Sequence, residues 1–340
     1  CGLRDGDARA AFRNVSFDIR SYKKLQMFIH AESSDPEHLI KYGDATVFIR
    51  LGNDYEDNYY EYEVPATPSP YSNNDPYSVW PEANNMVVEF AKLNDAKIQR
   101  NQADFPVNQR YIVMDGDRRI TVKGNPNLSQ MTTIMIGIRN PKKDGAEANI
   151  WANDDRSSKC VEVWVDELRL TDFDQRGGGA AIARVNTTLA DLGSLSVAGN
   201  YSTPGWGSID QTVSDRQKDT RYGVDLSANL EMSKFLPETS LLKVPMYLGY
   251  SESIINPQYD PLSPDIEWSE ATRSLTPAER RAQMRALRTY SRRRSINFTN
   301  IHKEKPKGNN TEHFYDLSNL GLSYTYGDQE YHDVNTQYDN

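Results

Sequence analysis

"VEVWVDELRLTDFDQRGGGAAIARVNTTL", residues 161–189, holds two different β patterns on either side of three glycines. Before the glycines, Val161, Val163, Val165, Leu168 and Leu170 are expected near a core, with Trp164 and Asp166 on the other face. The parity changes near Glu167, as one extra residue in a strand would cause. After Gly177, Gly178 and Gly179, the residues Ala181, Ala183, Val185, Thr187 and Leu189 alternate with Ile182, Arg184, Asn186 and Thr188. One face now carries no charge at all. The glycines therefore read as a hinge between two β surfaces, dividing the chain into residues 1–175 and 176–340.

Upstream of the hinge, short alternating runs follow one another: "NVSFDIR", "KLQMFIHAE", "ATVFIRLG", "NYYEYEV", "RYIVMDG", "RRITVKG" and "MTTIMIGIR". Turn sequences such as "GNPN" and "RNPKKDG" separate them. This spacing predicts an all-β, jelly-roll-like β-sandwich over residues 1–175. One exception is "AKLNDAKIQRN", where Leu93, Ala96 and Ile98 suit a short helix. Asp166, the group Asp54, Glu56 and Asp57, and the pair Asp154 and Asp155 are candidates for calcium or sugar binding. Their spacing matches no EF-hand loop, and turn-capping or solvated carboxylates are the expected roles.

Downstream, the alternation sharpens into strands of ~9–11 residues, the length a tilted strand needs to cross a bilayer. The uncharged faces hold Val197, Tyr201, Tyr222, Val224, Leu226, Leu230, Val244, Leu248, Tyr250, Leu322 and Tyr324, which are expected to face lipid. The opposite faces hold Arg184, Asp225, Asn229 and Glu231, which are expected to face a wet lumen. An arginine against mid-membrane lipid would cost ~2–4 kcal/mol, so Arg184 fixes the inward face of its strand. Connections are expected to alternate in length. "ADLGS" is tight, "STPGWGSIDQTVSDRQKDT" long, "SKFLPETSLL" moderate, residues 251–294 very long and "HKEKPKGNN" short. Tyr201, Tyr222, Tyr250, Tyr324 and Tyr326 are then expected at the long-loop end, as an aromatic girdle. Residues 176–340 thus predict antiparallel strands of a transmembrane β-barrel. Its first strand would run inward, so residues 1–175 would form an extracellular cap.

The net charge of −9 argues against a nucleic-acid partner. No apolar run approaches the ~18 residues of a membrane helix. There is no GxSxG, no P-loop and no HExxH, and the five histidines have no ligand spacing. No catalytic residue, cofactor or metal site is expected. Cys1 followed by Gly2 has two readings, an acylated lipoprotein start and a cut within a longer chain. The missing signal segment and the ragged "NTQYDN" end favour the second. A Cys1–Cys160 bridge is left open. Inside the longest connection, "SLTPAERRAQMRALRTYSRRRS" predicts a basic helix near 276–291, with Thr276 as N-cap, Pro277 at the first position and Glu279 closing a capping box. Its arginines are expected to pair with Asp265, Glu267 and Glu270, ahead of a second reading, contact with anionic lipopolysaccharide or an acidic partner.

Several of these runs, in order, resemble one family. "KLQMFIHAE", "FIRLGNDYEDNYYEYEVP", "VWPEANNMVVEF", "KGNPNLS", "IMIGIRNP", "VEVWVDELRLTDFD" and "GGGAAIARVNTTLADLGSLSVAGNYSTPGWG" are similar to the SprA/Sov family. These are the very large outer-membrane translocons of type IX secretion in Bacteroidetes, also linked to gliding motility. The resemblance implies an internal segment of a large transmembrane β-barrel that exports folded proteins to the cell surface. It also implies partners: secreted cargo with a C-terminal secretion signal and a PorV-type barrel. Outer-membrane lipid and lipopolysaccharide complete the expected partners. The competing reading is a soluble cell-surface module, lectin-like or protein-binding, whose apolar strand faces would be covered by a second sheet.

Overall fold

The computed structural model describes residues 2–71, 75–142, 156–305, 313 and 315–339. The protein is all-β with a few short helices, and no described helix is long and apolar enough to cross a membrane. It forms two compact units. The first is Cys1–Gln175 together with Leu262–Ile266, and the second is Arg176–Pro261 with Glu267–Asn340.

In the first unit the strands are β1 (Ala8–Phe17), β2 (Tyr22–Ser33), β3 (Thr46–Gly52), β4 (Tyr59–Pro65), β5 (Met86–Glu89), β6 (Tyr111–Asp115), β7 (Arg118–Lys123), β8 (Met131–Arg139) and β9 (Val161–Phe173). They make a six-stranded sheet, β1-β8-β3-β4-β7-β6, and a three-stranded sheet, β5-β2-β9. Alternate residues of both sheets meet in one core, including Leu25, Met27 and Ile29 from β2 and Val47, Ile49 and Leu51 from β3. Among the described residues the two sheets hold six and three strands, where a jelly roll has two sheets of four. The short β5 hands over at once to helix α2 (Phe90–Gln102), which follows the four-residue helix α1 (Pro76–Val79) in the chain. Leu93 and Ala96 of α2 are buried, as the helix reading requires, and Ile98 is half-buried.

Two α2 residues were not expected inside. Lys97 is 3% exposed and Arg100 0%. The Lys97 ammonium donates to the Pro126 carbonyl (2.9 Å) and to Asp265 Oδ1 (2.8 Å). The Tyr60 hydroxyl donates to the other Asp265 oxygen at 2.6 Å. Asn94 donates to the Asp265 carbonyl (3.0 Å), and Arg20 to the Pro264 carbonyl (2.8 Å). Residues 262–266 are thus built into the first unit although they lie far along the chain. The buried pairs contradict the expectation that Asp265 neutralises the basic helix.

The bulge lies where parity predicted it. The β2–β9 register shifts between Gln26 and Phe28, and Glu167 has φ 52. Val163 and Leu170 pack on the core. Val165 and Leu168 do not: both are 43% exposed, because β9 is an edge strand that runs past the core. With Phe12 and Phe17 of the other edge strand, β1, they line an apolar cleft of about 760 Å³.

On the outer face of the larger sheet, Glu61 and Glu63 are buried among Arg50, Arg119 and Arg139. Burial pushes the Glu61 carboxyl up, but Arg139 and Arg50 outweigh it and hold it below the usual range. The other acidic candidates cap turns. Asp54 accepts backbone N–H groups of Glu56 (2.9 Å), Asp57 (2.5 Å) and Asn58 (2.9 Å). Burial raises its pKa, yet these bonds and the Asn58 amide prevail and bring it to about 2. Asp57 pairs with Lys123, and Asp166 accepts the N–H of Glu167. Asp154 and Asp155 lie outside the described residues, as does Cys1, while Cys160 is buried and not free.

The second unit holds β10 (Ala180–Thr188), β11 (Gly193–Ser202), β12 (Asp219–Glu231), β13 (Leu242–Lys243), β14 (Pro245–Pro257), β15 (Tyr259–Asp260), β17 (Thr289–Lys303), β18 (Leu322–His332) and β19 (Gln337–Asp339), with β16 (Ser263–Glu267) mostly in the first unit. One antiparallel sheet runs β10-β11-β12-β14-β17-β18-β19, with β13 added beside β17. Among the described residues it is open, with β10 and β19 at its edges, and does not close on itself.

At one end of this sheet the connections are 189–192, 232–244 and 304–321; at the other they are 203–218, 258–288 and 333–336. The expected alternation therefore fails after the fourth connection. "HKEKPKGNN" is part of a connection that continues to residue 321, since β18 starts only after the turn Leu317–Asn319. The final hairpin is tight because Asp333 accepts the N–H groups of Asn335 and Thr336. The longest connection is 258–288 rather than 251–294, because Glu252 and Arg292 are still paired across β14 and β17.

Candidate functional site

Strand pairing defines the two faces of the large sheet, because residues directly opposite one another share a face and the side alternates along each strand. Arg184, Ala198, Asp225, Ser251, Arg293 and Gln329 form one continuous row. The next rows on that face are Asn186-Ser196-Ser227-Gly249-Ser295-Gly327 and Thr188-Ser194-Asn229-Tyr247-Asn297-Thr325. This face is polar and rich in small residues. Its side chains bond one another: Ser251 donates to Asp225 (2.7 Å) and Ser196 to Asn186 (2.7 Å). It forms a hollow of about 940 Å³.

The other face holds Val185-Val197-Leu226-Tyr250, Leu195-Ala228-Leu248-Ile296-Tyr326 and Leu230-Met246-Phe298-Tyr324. Val197, Tyr201, Tyr222, Val224, Leu226, Leu230, Leu248, Tyr250, Leu322 and Tyr324 all fall on it, and Val244 leads into β14 on the same parity. Leu322 is 64% and Tyr324 57% exposed, so nothing in the described chain covers them. Arg184, Asp225, Asn229 and Glu231 share the polar face. Of these, Glu231 does something else as well. At the end of β12 its carboxylate accepts from the Ser233 hydroxyl (2.7 Å) and the Val244 N–H (3.0 Å), closing the turn.

The tyrosines depart from expectation. Tyr201 and Tyr222 sit opposite each other near the 203–218 connection, with rings 5.1 Å apart. Tyr324 and Tyr326 are in the first half of β18, nearer the 304–321 connection. The uncharged face also contains charges that strand-length reasoning placed in a loop. Arg294 pairs with Asp328 (2.9 Å) and Arg292 with Glu330 (2.8 Å). Read as strand, "SRRRS" and "GDQEYH" would have placed them there by parity alone.

These two departures have one geometric cause. On β12 the uncharged face extends up to Tyr222; on β14 it stops at Tyr250, next to Glu252; on β18 it stops at Tyr326, next to Asp328. In register, Tyr250 is opposite Leu226 and Tyr326 is in the row of Ala228, so the limit slides six positions along the strands in three strand steps. At ~3.3 Å per residue and ~4.8 Å per strand, the boundary would be level on strands tilted by roughly 55°. Strands that span a bilayer tilt by ~45°. The slant of the tyrosine-edged apolar band is close to that tilt.

The class defined by these features is an all-β protein with an open sheet that is polar on one face and banded with apolar surface on the other. The SprA_N family, described as motility related/secretion protein, matches residues 2–272, and the chain belongs to it. Membership bears out the resemblance to SprA/Sov proteins, and the family is one of motility and secretion. No curated protein matches the chain.

Proposed function

We propose that the second unit is a wall segment of a protein-conducting outer-membrane channel of the type IX secretion and gliding-motility kind. The slanted band carries this reading: it faces hydrocarbon, and the polar rows face a water-filled passage. Cargo would meet hydroxyls, amides and a few charges that compete only weakly with water. Such a wall supplies a path and no driving force. Secreted proteins with a C-terminal signal and a PorV-type barrel are the partners this role requires. The soluble alternative needs a second sheet over Leu226, Leu248 and Tyr324; Leu226 and Leu248 are half-buried and Tyr324 is exposed.

A photo-crosslinker at Ser227, on the polar face, should capture a secreted protein in transit in cells, while one at Leu226 should not. Equal capture at both positions, or none at Ser227 during active secretion, contradicts the channel role. Residues 1–175 are proposed to form the extracellular cap. Tyr77→Cys, in an 87% exposed position, should then react with an impermeant maleimide on intact cells. Reaction only after lysis would place the unit in the periplasm.

A further inference from the structure

The connection 258–288 holds helix α3 (Trp268–Ala271) and helix α4 (Pro277–Leu287), and α4 lies beyond the part of the chain that the family match covers. The capping box expected for α4 is present: the Thr276 hydroxyl accepts the Glu279 N–H, and the Glu279 carboxylate accepts the Thr276 N–H (2.9 Å). This consumes the one carboxylate of the helix. The basic residues do not pair as expected. Glu267 is taken by Arg176 and Glu270 by Arg273. Arg280 donates to the Thr272 carbonyl (3.0 Å) and Arg281 to the Pro277 carbonyl (3.2 Å).

Arg281, Arg285 and Arg288 recur at i, i+4 and i+7, so they make one stripe along the helix. None of the three has an ion pair among the described residues, and Arg281 and Arg285 are exposed. The end of α4 is anchored above the banded face of the sheet. The His332 ring Nε2 lies 3.0 Å from the Arg285 carbonyl, and Arg288 lies over the Tyr290 ring at 5.3 Å. Tyr290 and His332 are opposite one another in the row of Tyr222 and Ile254, which belongs to the banded face. The stripe therefore stands just past the charged limit of the apolar band, on the outside of the wall.

We propose that this arginine stripe binds phosphorylated lipid headgroups at the rim of the membrane, an inference that rests on the membrane reading above. Guanidinium forks without carboxylate partners, exposed on Arg281 and Arg285 and half-buried over Tyr290 on the C-cap residue Arg288, match phosphate oxygens geometrically. Their position beside a hydrocarbon-facing band puts them at headgroup level. A chain of net charge −9 would otherwise be repelled by an anionic bilayer, so a local cationic stripe would set which surface faces the lipid.

The test uses the full chain and two kinds of vesicle: phosphatidylcholine alone, and phosphatidylcholine doped with phosphatidylglycerol. The wild-type chain should bind the doped vesicles more tightly. The variant Arg281→Gln/Arg285→Gln/Arg288→Gln should lose that gain, by ~5-fold per arginine and roughly 100-fold in all at low salt, with binding to neutral vesicles and thermal melting unchanged. A variant that keeps the gain overturns the proposal. So does displacement from doped vesicles by millimolar inorganic phosphate alone, which would make the stripe a free-phosphate site. Failure to bind neutral vesicles would instead strike at the membrane reading.

Discussion

Asp265→Ala should destabilise the first unit by ~3–5 kcal/mol, the cost of breaking a buried ion pair by removing one partner. Asp265 and Lys97 side chains are 0% and 3% exposed and meet at 2.8 Å. Without the carboxylate, the Lys97 ammonium keeps only the Pro126 carbonyl, and the Tyr60 hydroxyl loses its acceptor. Lys97→Met/Asp265→Leu should cost much less than the sum of the single changes, because no charge is left buried. Urea unfolding of the full chain, followed by proteolytic susceptibility of the first unit, measures both. A loss below ~1 kcal/mol for Asp265→Ala would show that residues 262–266 are not integral to this unit. Tyr60 adds a pH dependence. Burial first, then the Asp265 charge, holds its phenol well above the ordinary range. Its contribution is therefore complete below the ordinary tyrosine pKa near 10 and is lost as pH rises toward the folded-state value.

The second large effect concerns neighbouring residues with opposite surroundings. Leu226→Arg should impair assembly into the membrane by ~2–4 kcal/mol, the range for a cation on the lipid face near the bilayer middle. Ser227→Arg should be tolerated, because it joins Asp225 and Arg293 on the polar face. The positions are adjacent on β12, so strand propensity and distance from the turns are the same for both. Heat-modified electrophoresis and yield in the membrane fraction read the difference. Equal tolerance would remove the distinction between the faces.

Much of this was legible in the chain because the pleat imposes a period of two. The faces of β12, the bulge at Glu167, the capping box of α4 and the core rows of β2 and β3 follow from local order alone. Partnerships made across long sequence distances were hidden. Lys97 and Arg100 look like the solvated side of α2, and only the arrival of residues 262–266 and the 124–126 carbonyls makes their burial tolerable. Val165 and Leu168 alternate like core residues, yet an edge strand leaves them half open. The charges of β17 and β18 are hidden in the sequence because a charged run has the composition of a loop. The register shows them as strand, outside an oblique boundary that no single strand can reveal.

The medium that touches the banded face decides whether the sheet is a membrane wall. Spin labels placed one at a time at residues 222–230 of the membrane-inserted protein report this by their collisions with oxygen and with a water-soluble nickel chelate. Oxygen access should peak at 224, 226, 228 and 230, with nickel access peaking at 225, 227 and 229. Low access to both reagents at 224, 226 and 230 would mean that these rows are packed against protein, and the wall would not be a membrane wall.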